Sequence, residues 1–278
     1  MANVREDSAR ASRGRRRGRR YHTARQQFGF AVLCAVLLFA VIVGAMIALG
    51  WRIERFATEE GTITFFGVIR DGARVSGKIS YPDGTVGVIR RETGIIEYNN
   101  GTRYLGPLDS VLRRDGAGKM TFAGGNVYEG DFRRGAITGK GKMTYAAGDV
   151  YEGDFADGKP NGEGVYTWAD GSTYCGTLTN GRPDGSGVLI GADGLRYEGG
   201  YRDGLREGDG VLTYPNGDVY TGSFRADMRD GAGVYVWANG ERYEGEFKNN
   251  AITGTGTYSW PSGRTYTGTF LNGVMVKE

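Results

Sequence analysis

The chain has 278 residues, enough for one or two domains, and 50 of them are glycine, more than twice the usual share of about 7%. Aromatic residues make up 12% of it, which excludes a disordered low-complexity chain and leaves a repeat as the explanation for so much glycine. The net charge of +3 is uneven: residues 1–27 hold nine arginines against Glu6 and Asp7, a net of +7, so residues 28–278 carry about −4 and lack the basic footprint that nucleic-acid binding requires.

Taken in chain order, the basic arm of residues 1–27 reads as an unstructured cytoplasmic tail. The run FGFAVLCAVLLFAVIVGAMIAL follows from Phe28 through Leu38 to Leu49, without a charge. As a helix rising about 1.5 Å per residue it would cross a hydrocarbon layer of roughly 30 Å, so residues 28–50 are expected to span a membrane. The arginines precede the helix, whereas Arg52 and Arg55 after it are offset by Glu54, so the positive-inside rule keeps the arm in the cytoplasm and exports the remainder. A cleaved signal peptide is the competing reading, with Ala48-Leu49-Gly50 as its cleavage site, but the run is longer than the usual signal core of about 7–15 residues. Arg19-Arg20 makes a poor twin-arginine signal, since no apolar pair follows at once. The expected localisation is a single-pass protein of the inner (plasma) membrane, with its bulk periplasmic or extracellular. Cys34 lies in the membrane run and Cys175 far outside it, so neither a disulfide framework nor a metal set is expected.

Residues 51–103 read as a linker followed by degenerate repeats that keep turn glycines Gly84 and Gly101 but lose regular spacing. From residue 104 to 278 the chain is periodic. Tyr128, Tyr151, Tyr174, Tyr197, Tyr220, Tyr243 and Tyr266 follow one another at intervals of 23, and Tyr104 lies 24 upstream. The glycine two places after each tyrosine never changes, which assigns it a backbone role. Within the unit YEGDFRRGAITGKGKMTYAAGDV the apolar period is two: Tyr128, Gly130 and Phe132 on one arm, Gly141, Met143 and Tyr145 on the other. The connection Arg-Arg-Gly-Ala-Ile-Thr-Gly reads as the loop between them. An isolated hairpin is marginal, so the units must stack. With strands about 4.8 Å apart, seven or eight units would form a rod of roughly 70 to 80 Å. The fold expected is all-β: an elongated single-layer solenoid of about eight 23-residue hairpins behind one transmembrane helix.

These units resemble the MORN (membrane occupation and recognition nexus) repeat, and YEGEFKNNAITGTGTYSWPSG from Tyr243 is close to its pattern. The resemblance covers residues 104–278. It implies a scaffold for membrane-associated assembly through self-association or protein partners. MORN repeats also accompany phosphatidylinositol phosphate kinases, but no kinase domain is present here. The unit from Tyr174 departs by carrying Leu178 and Gly191 where others have aromatics, which suggests a bend or weak point. The last unit stops after one strand, leaving Lys277 and Glu278 or a partner to protect the edge.

Candidate chemistry is sparse. GDFADGKP from Gly153 has the spacing of a phosphate-binding loop, but the same glycine pair recurs in sister units, Pro160 stands in the Ser/Thr place and no helix follows. The carboxylate pairs Glu129/Asp131, Glu152/Asp154 and Glu244/Glu246 fall on the face opposite the rings, about 7 Å apart within a pair, too far to converge on one Ca²⁺. The only histidine, His22, lies in the arm. No enzyme activity, cofactor or metal is expected. Cys175 is placed on the polar face. The candidate interaction surface is the aromatic column, represented by Tyr151, Trp168, Tyr220, Trp237, Tyr243 and Trp260. It is read first as core and alternatively as a groove for a peptide, a cell-wall glycan or a lipid headgroup.

Overall fold

A computed structural model describes residues 28–90 and 93–276. The basic arm with His22, and Lys277 and Glu278, lie outside the described residues. Among the described residues one helix, α1 (Phe28–Ala48), precedes the strands; none of its apolar window is buried, and its end is tied to the first strand by Arg52, whose Nη1 donates to the Ile47 carbonyl at 2.9 Å. Gly50 turns the chain with φ 88° and its carbonyl accepts the Ile69 amide at 2.9 Å, so the first strand begins directly after the helix.

Among the described residues twenty-one strands form one antiparallel meander in which each strand pairs with the next along the chain. Residues 51–103, read from sequence as linker and degenerate repeats, contribute β1 (Trp51–Thr58), β2 (Gly61–Arg70), β3 (Ala73–Ser80), β4 (Val86–Ile89), β5 (Ile96–Tyr98) and the start of β6 (Arg103–Leu105). After β7 (Gly116–Thr121) the outgoing strands are β8 (Val127–Arg133), β10 (Val150–Ala156), β12 (Thr173–Thr179), β14 (Arg196–Arg202), β16 (Val219–Arg225), β18 (Arg242–Lys248) and β20 (Thr265–Leu271). Their returns are β9 (Ala136–Thr144), β11 (Lys159–Thr167), β13 (Arg182–Ile190), β15 (Leu205–Thr213), β17 (Met228–Val236), β19 (Ala251–Ser259) and the short β21 (Val274–Met275). The last unit therefore does not stop after one strand. Its return is truncated, and the Val276 amide donates to the Thr269 carbonyl at 2.9 Å.

The hairpin connection is tighter than expected. Arg134 (φ 50°) and Gly135 (φ 92°) make a two-residue turn, with both residues left-handed as a type I′ turn requires. Ala136 already belongs to the return strand. The extra residues expected in a loop are absorbed by a bulge: Gly130 faces Gly141 and Phe132 faces Ile137, so Asp131 stands opposite three residues. The Asp131 carboxylate closes that bulge by accepting the Lys140 amide at 3.2 Å.

The invariant glycines are explained by the rings. A Cβ at Gly130 would lie 2.5 Å from the Tyr128 hydroxyl, and one at Gly153 would lie 2.6 Å from that of Tyr151. From Tyr104 to Tyr243 each tyrosine lies across a glycine pair from two neighbouring strands and donates its hydroxyl to the carbonyl three residues on, as Tyr128 does to Asp131 (3.1 Å) and Tyr151 to Asp154 (2.9 Å), whereas Tyr266 donates to the Val276 carbonyl at 2.8 Å. The phenol thus satisfies a carbonyl that the bulge takes out of the ladder. Phenylalanines bridge successive tyrosines edge to face: Phe132 touches Tyr128 and Tyr104, and Phe155 touches Tyr151 and Tyr128, with centroids 5.0 to 5.3 Å apart. Leu178 interrupts this column, but it is 2% exposed and β12–β13 keeps the register and bulge of its neighbours, so the strand pairing shows no break there.

Candidate interaction surface

The structure divides the six candidate residues into two groups. Tyr151, Tyr220 and Tyr243 are fully buried in the column and offer no surface. Trp168, Trp237 and Trp260 are half-buried and belong to a second aromatic row, at the ends of the return strands. There Tyr166 stacks on Trp168 (4.8 Å), Tyr235 on Trp237 (4.7 Å), Trp237 on Tyr258 (5.3 Å) and Tyr258 on Trp260 (4.8 Å). The Arg264 guanidinium lies 3.7 Å from the Trp260 ring centre. This second row is a partly accessible aromatic surface, as is the Trp51–Phe66 pair at the start of the sheet.

Its placement depends on acidic residues in the turns. Asp149 accepts the Tyr166 hydroxyl at 3.0 Å and the Ala169 amide at 2.9 Å, and Asp218 does the same for Tyr235 (2.7 Å) and Ala238 (2.9 Å). Where the turn residue is Ser172 or Leu195, the residue 17 places later is Leu189 or Leu212 instead of tyrosine. That pairing is written in the sequence at a spacing of 17, but it is invisible to a search for alternation, which stays within one hairpin. The hydrogen bond from Tyr235 holds the Asp218 carboxyl below the usual range, and burial followed by that same bond pushes the Tyr235 phenol up. Burial also pushes Tyr258 up, to about 12, helped by its bond to Glu241.

The opposite face is polar, as the pattern of the carboxylates implied. Glu129 pairs with Lys119 at 2.5 Å, Asp154 with Lys140 at 2.7 Å and Glu244 with Arg242 at 2.6 Å. Glu152 lies 3.9 Å from Lys142, and Glu246 accepts the Thr255 amide at 3.4 Å. Such exposed pairs contribute little to stability. Cys175 is exposed on this face, opposite Val165 and Val188 on the adjoining strands. No group of three or more His, Cys, Asp or Glu is placed to hold a metal ion among the described residues. In the GDFADGKP stretch, Gly153 lies under Tyr151, Gly158 closes the two-residue turn and Lys159 opens β11.

One set of residues was not singled out from the sequence. The position facing the bridging residue, which is Phe132, Phe155, Phe224 or Phe247 in four units and Leu108, Leu178 or Tyr201 in the others, holds Arg114, Ile137, Pro160, Pro183, Arg206, Arg229 and Ile252, each 23 residues from the next. Arg206 lies over Tyr197 (5.6 Å) and Phe224 (5.4 Å), and Arg229 over Tyr220 (5.7 Å), Tyr235 (5.3 Å) and Phe247 (5.7 Å). These cations project along the border between the buried column and the accessible row.

The MORN repeat profile matches seven consecutive segments, residues 113–127, 128–150, 151–173, 174–196, 197–219, 220–242 and 243–263, more than half of the chain. The chain belongs to the MORN repeat family. Its matched segments run from β7 to β19, while Tyr104 and Tyr266 themselves lie outside the matched range. Curated proteins give no match. Among solved structures, the TCP10 domain of Danio rerio CPAP is similar at 17% identity over 77% of this chain and 97% of that one, with a TM-score of 0.34. The TCP10c domain of Drosophila melanogaster Sas-4 is similar at 11% over 78% and 98%, with a TM-score of 0.23. At these identities and TM-scores, no function carries over from them.

Proposed function

We propose that this MORN repeat protein is a non-enzymatic, membrane-anchored scaffold that presents its second aromatic row to a protein partner or to another copy of itself. The observation that carries the reading is the half-buried row of Tyr166, Trp168, Tyr235, Trp237, Tyr258 and Trp260, with Tyr166 and Tyr235 held by turn carboxylates, beside a separate column of fully buried tyrosines. A core needs no such accessible tyrosines and tryptophans, whereas protein interfaces are enriched in them. The charge-free helix α1 supports anchoring, and the arginine arm before it supports an orientation with the repeats outside the cytoplasm.

Co-purification after mild solubilisation tests the scaffold: a protein partner or homo-oligomer is expected, and a lone monomer free of bound protein contradicts it. A reporter fused at Glu278 tests orientation, and a cytoplasmic signal overturns it. The stacked rings also favour a second reading, a cell-wall glycan module, because sugars stack on such faces. That reading requires retention on peptidoglycan that is lost when Trp168, Trp237 and Trp260 become Ala. The net negative charge of the exported part weighs against anionic lipid as its main attraction.

A further inference from the structure

The arginines that face the bridging rings differ in one respect that their shared position conceals. Arg206 is neutralised: its Nε donates to the Asp227 carboxylate at 3.1 Å, and the same carboxylate accepts the Arg206 amide at 2.9 Å. Arg74 stands at the corresponding place in β3, over Phe56 and Phe65, and is neutralised by Glu54 at 2.6 Å. One repeat beyond Asp227 the turn residue is Asn250. Its side-chain oxygen still accepts the Arg229 amide at 2.9 Å, and its carbonyl accepts Arg229 Nη2 at 2.8 Å. The amide has replaced the charge while keeping the turn, and no ion pair forms at Arg229 among the described residues. Its Nε is buried with no hydrogen-bond partner.

The Arg229 side chain borders a cleft of about 270 Å³ lined by Tyr235, Trp237, Phe247, Asn250 and Ile252, in which Arg229 is the only charged residue. Arg114 also lacks a carboxylate partner among the described residues, but the cleft beside it contains Glu60 and Asp83. A half-buried cation with no counter-charge attracts an anion that can reach it.

We infer that the Arg229 cleft is a recognition site for a carboxylate on an extended peptide, an acidic side chain with an aromatic neighbour. The guanidinium edge that opens on the cleft takes the carboxylate, and the Trp237 and Tyr235 rings take the neighbouring side chain. A single cation suits a monoanion better than a phosphate, whose charge calls for several donors. This inference rests on the scaffold reading and assigns the chemistry of its partner.

The test uses the full chain in detergent micelles at low salt, with two fluorescein-labelled peptides, Gly-Phe-Glu-Phe-Gly and its Gln counterpart, followed by anisotropy. Wild type is expected to bind the Glu peptide about tenfold more tightly than the Gln peptide. Asn250→Asp installs the carboxylate that already neutralises Arg206 and is expected to abolish that preference without lowering the melting temperature. Arg229→Ile places the residue found at positions 137 and 252 and is expected to abolish it as well. Equal binding of the two peptides by wild type, no binding of either, or a preference that survives in Asn250→Asp would overturn the site. If the preference is lost as expected while no protein co-purifies with the intact chain, the scaffold reading falls and the anion site stands. If partners co-purify equally with wild type and Asn250→Asp and the peptides do not discriminate, the scaffold stands and this site falls.

Discussion

The hairpin β2–β3 and the hairpin β10–β11 solve the same problem with different residues. In both, a ring lies across a pair of facing glycines: Phe65 over Gly67 and Gly77, Tyr151 over Gly153 and Gly164. The earlier hairpin has phenylalanine where the later one has tyrosine. It is also one residue shorter between its turn and its second glycine, so its bulge offsets the register by one residue in place of two. The glycine pair under a flat ring is thus the indispensable part of the unit. The phenol and the wide bulge are a matched addition, since the hydroxyl serves the carbonyl that the wide bulge frees.

Alkaline titration tests that addition on the largest scale. Burial pushes Tyr104, Tyr128, Tyr151, Tyr174, Tyr197 and Tyr220 up to about 12 from an ordinary value of 10. A raised folded pKa means that the stabilisation is complete below pH 10 and is lost as pH climbs through 12. The phenolate absorbance is expected to appear together with loss of the sheet signal in circular dichroism. Independent titration near pH 10 in a chain that stays folded would separate the tyrosines from the core.

Gly164→Val strikes the shared part of the unit. The added side chain collides with the Tyr151 ring, a loss of about 3 kcal/mol or more in urea unfolding. Gly77→Val should cost a similar amount despite the Phe65 ring, and a tolerated valine at either place would contradict the account. Tyr151→Phe converts the later hairpin toward the earlier one. Because the wide bulge remains, it leaves the Asp154 carbonyl without its donor and costs about 1 kcal/mol. A neutral result would mean that water or the backbone serves that carbonyl.

The smallest effect is at the turns. Ala226 holds φ 47° where sister turns have Asn249, Asn180 or Asp203, so Ala226→Asn is expected to raise stability by about 0.5 to 1 kcal/mol. A lower melting temperature would show that the type I′ geometry is not what limits this turn.

The sequence made the regular units legible because the side chains that build the core repeat at a fixed interval and nothing else in the chain competes with that period. The exclusion of Cβ atoms under the rings was equally readable, since a glycine that never varies beside a tyrosine leaves few other causes. The β2–β3 hairpin was harder to read because Phe65 breaks the tyrosine register and one residue is missing, which defeats alignment on spacing. The loop expected after Phe132 became a turn plus a bulge because alternation cannot show that Asp131 alone opposes three residues. Of the candidate surface, the tryptophans were identified from sequence, but buried and accessible rings look alike there. The neutralised and unneutralised arginines differ only by Asp227 against Asn250, a distinction that acquires meaning once the turn is seen beside the guanidinium.

The most direct measurement of the scaffold claim is photo-crosslinking in the native membrane, with a photoreactive amino acid replacing Trp237 and, as the control, Glu152 on the opposite polar face. Specific protein adducts, with a partner or a second copy, are expected from position 237 and not from 152. Equal labelling from both faces, or adducts with lipid or glycan alone, would contradict it.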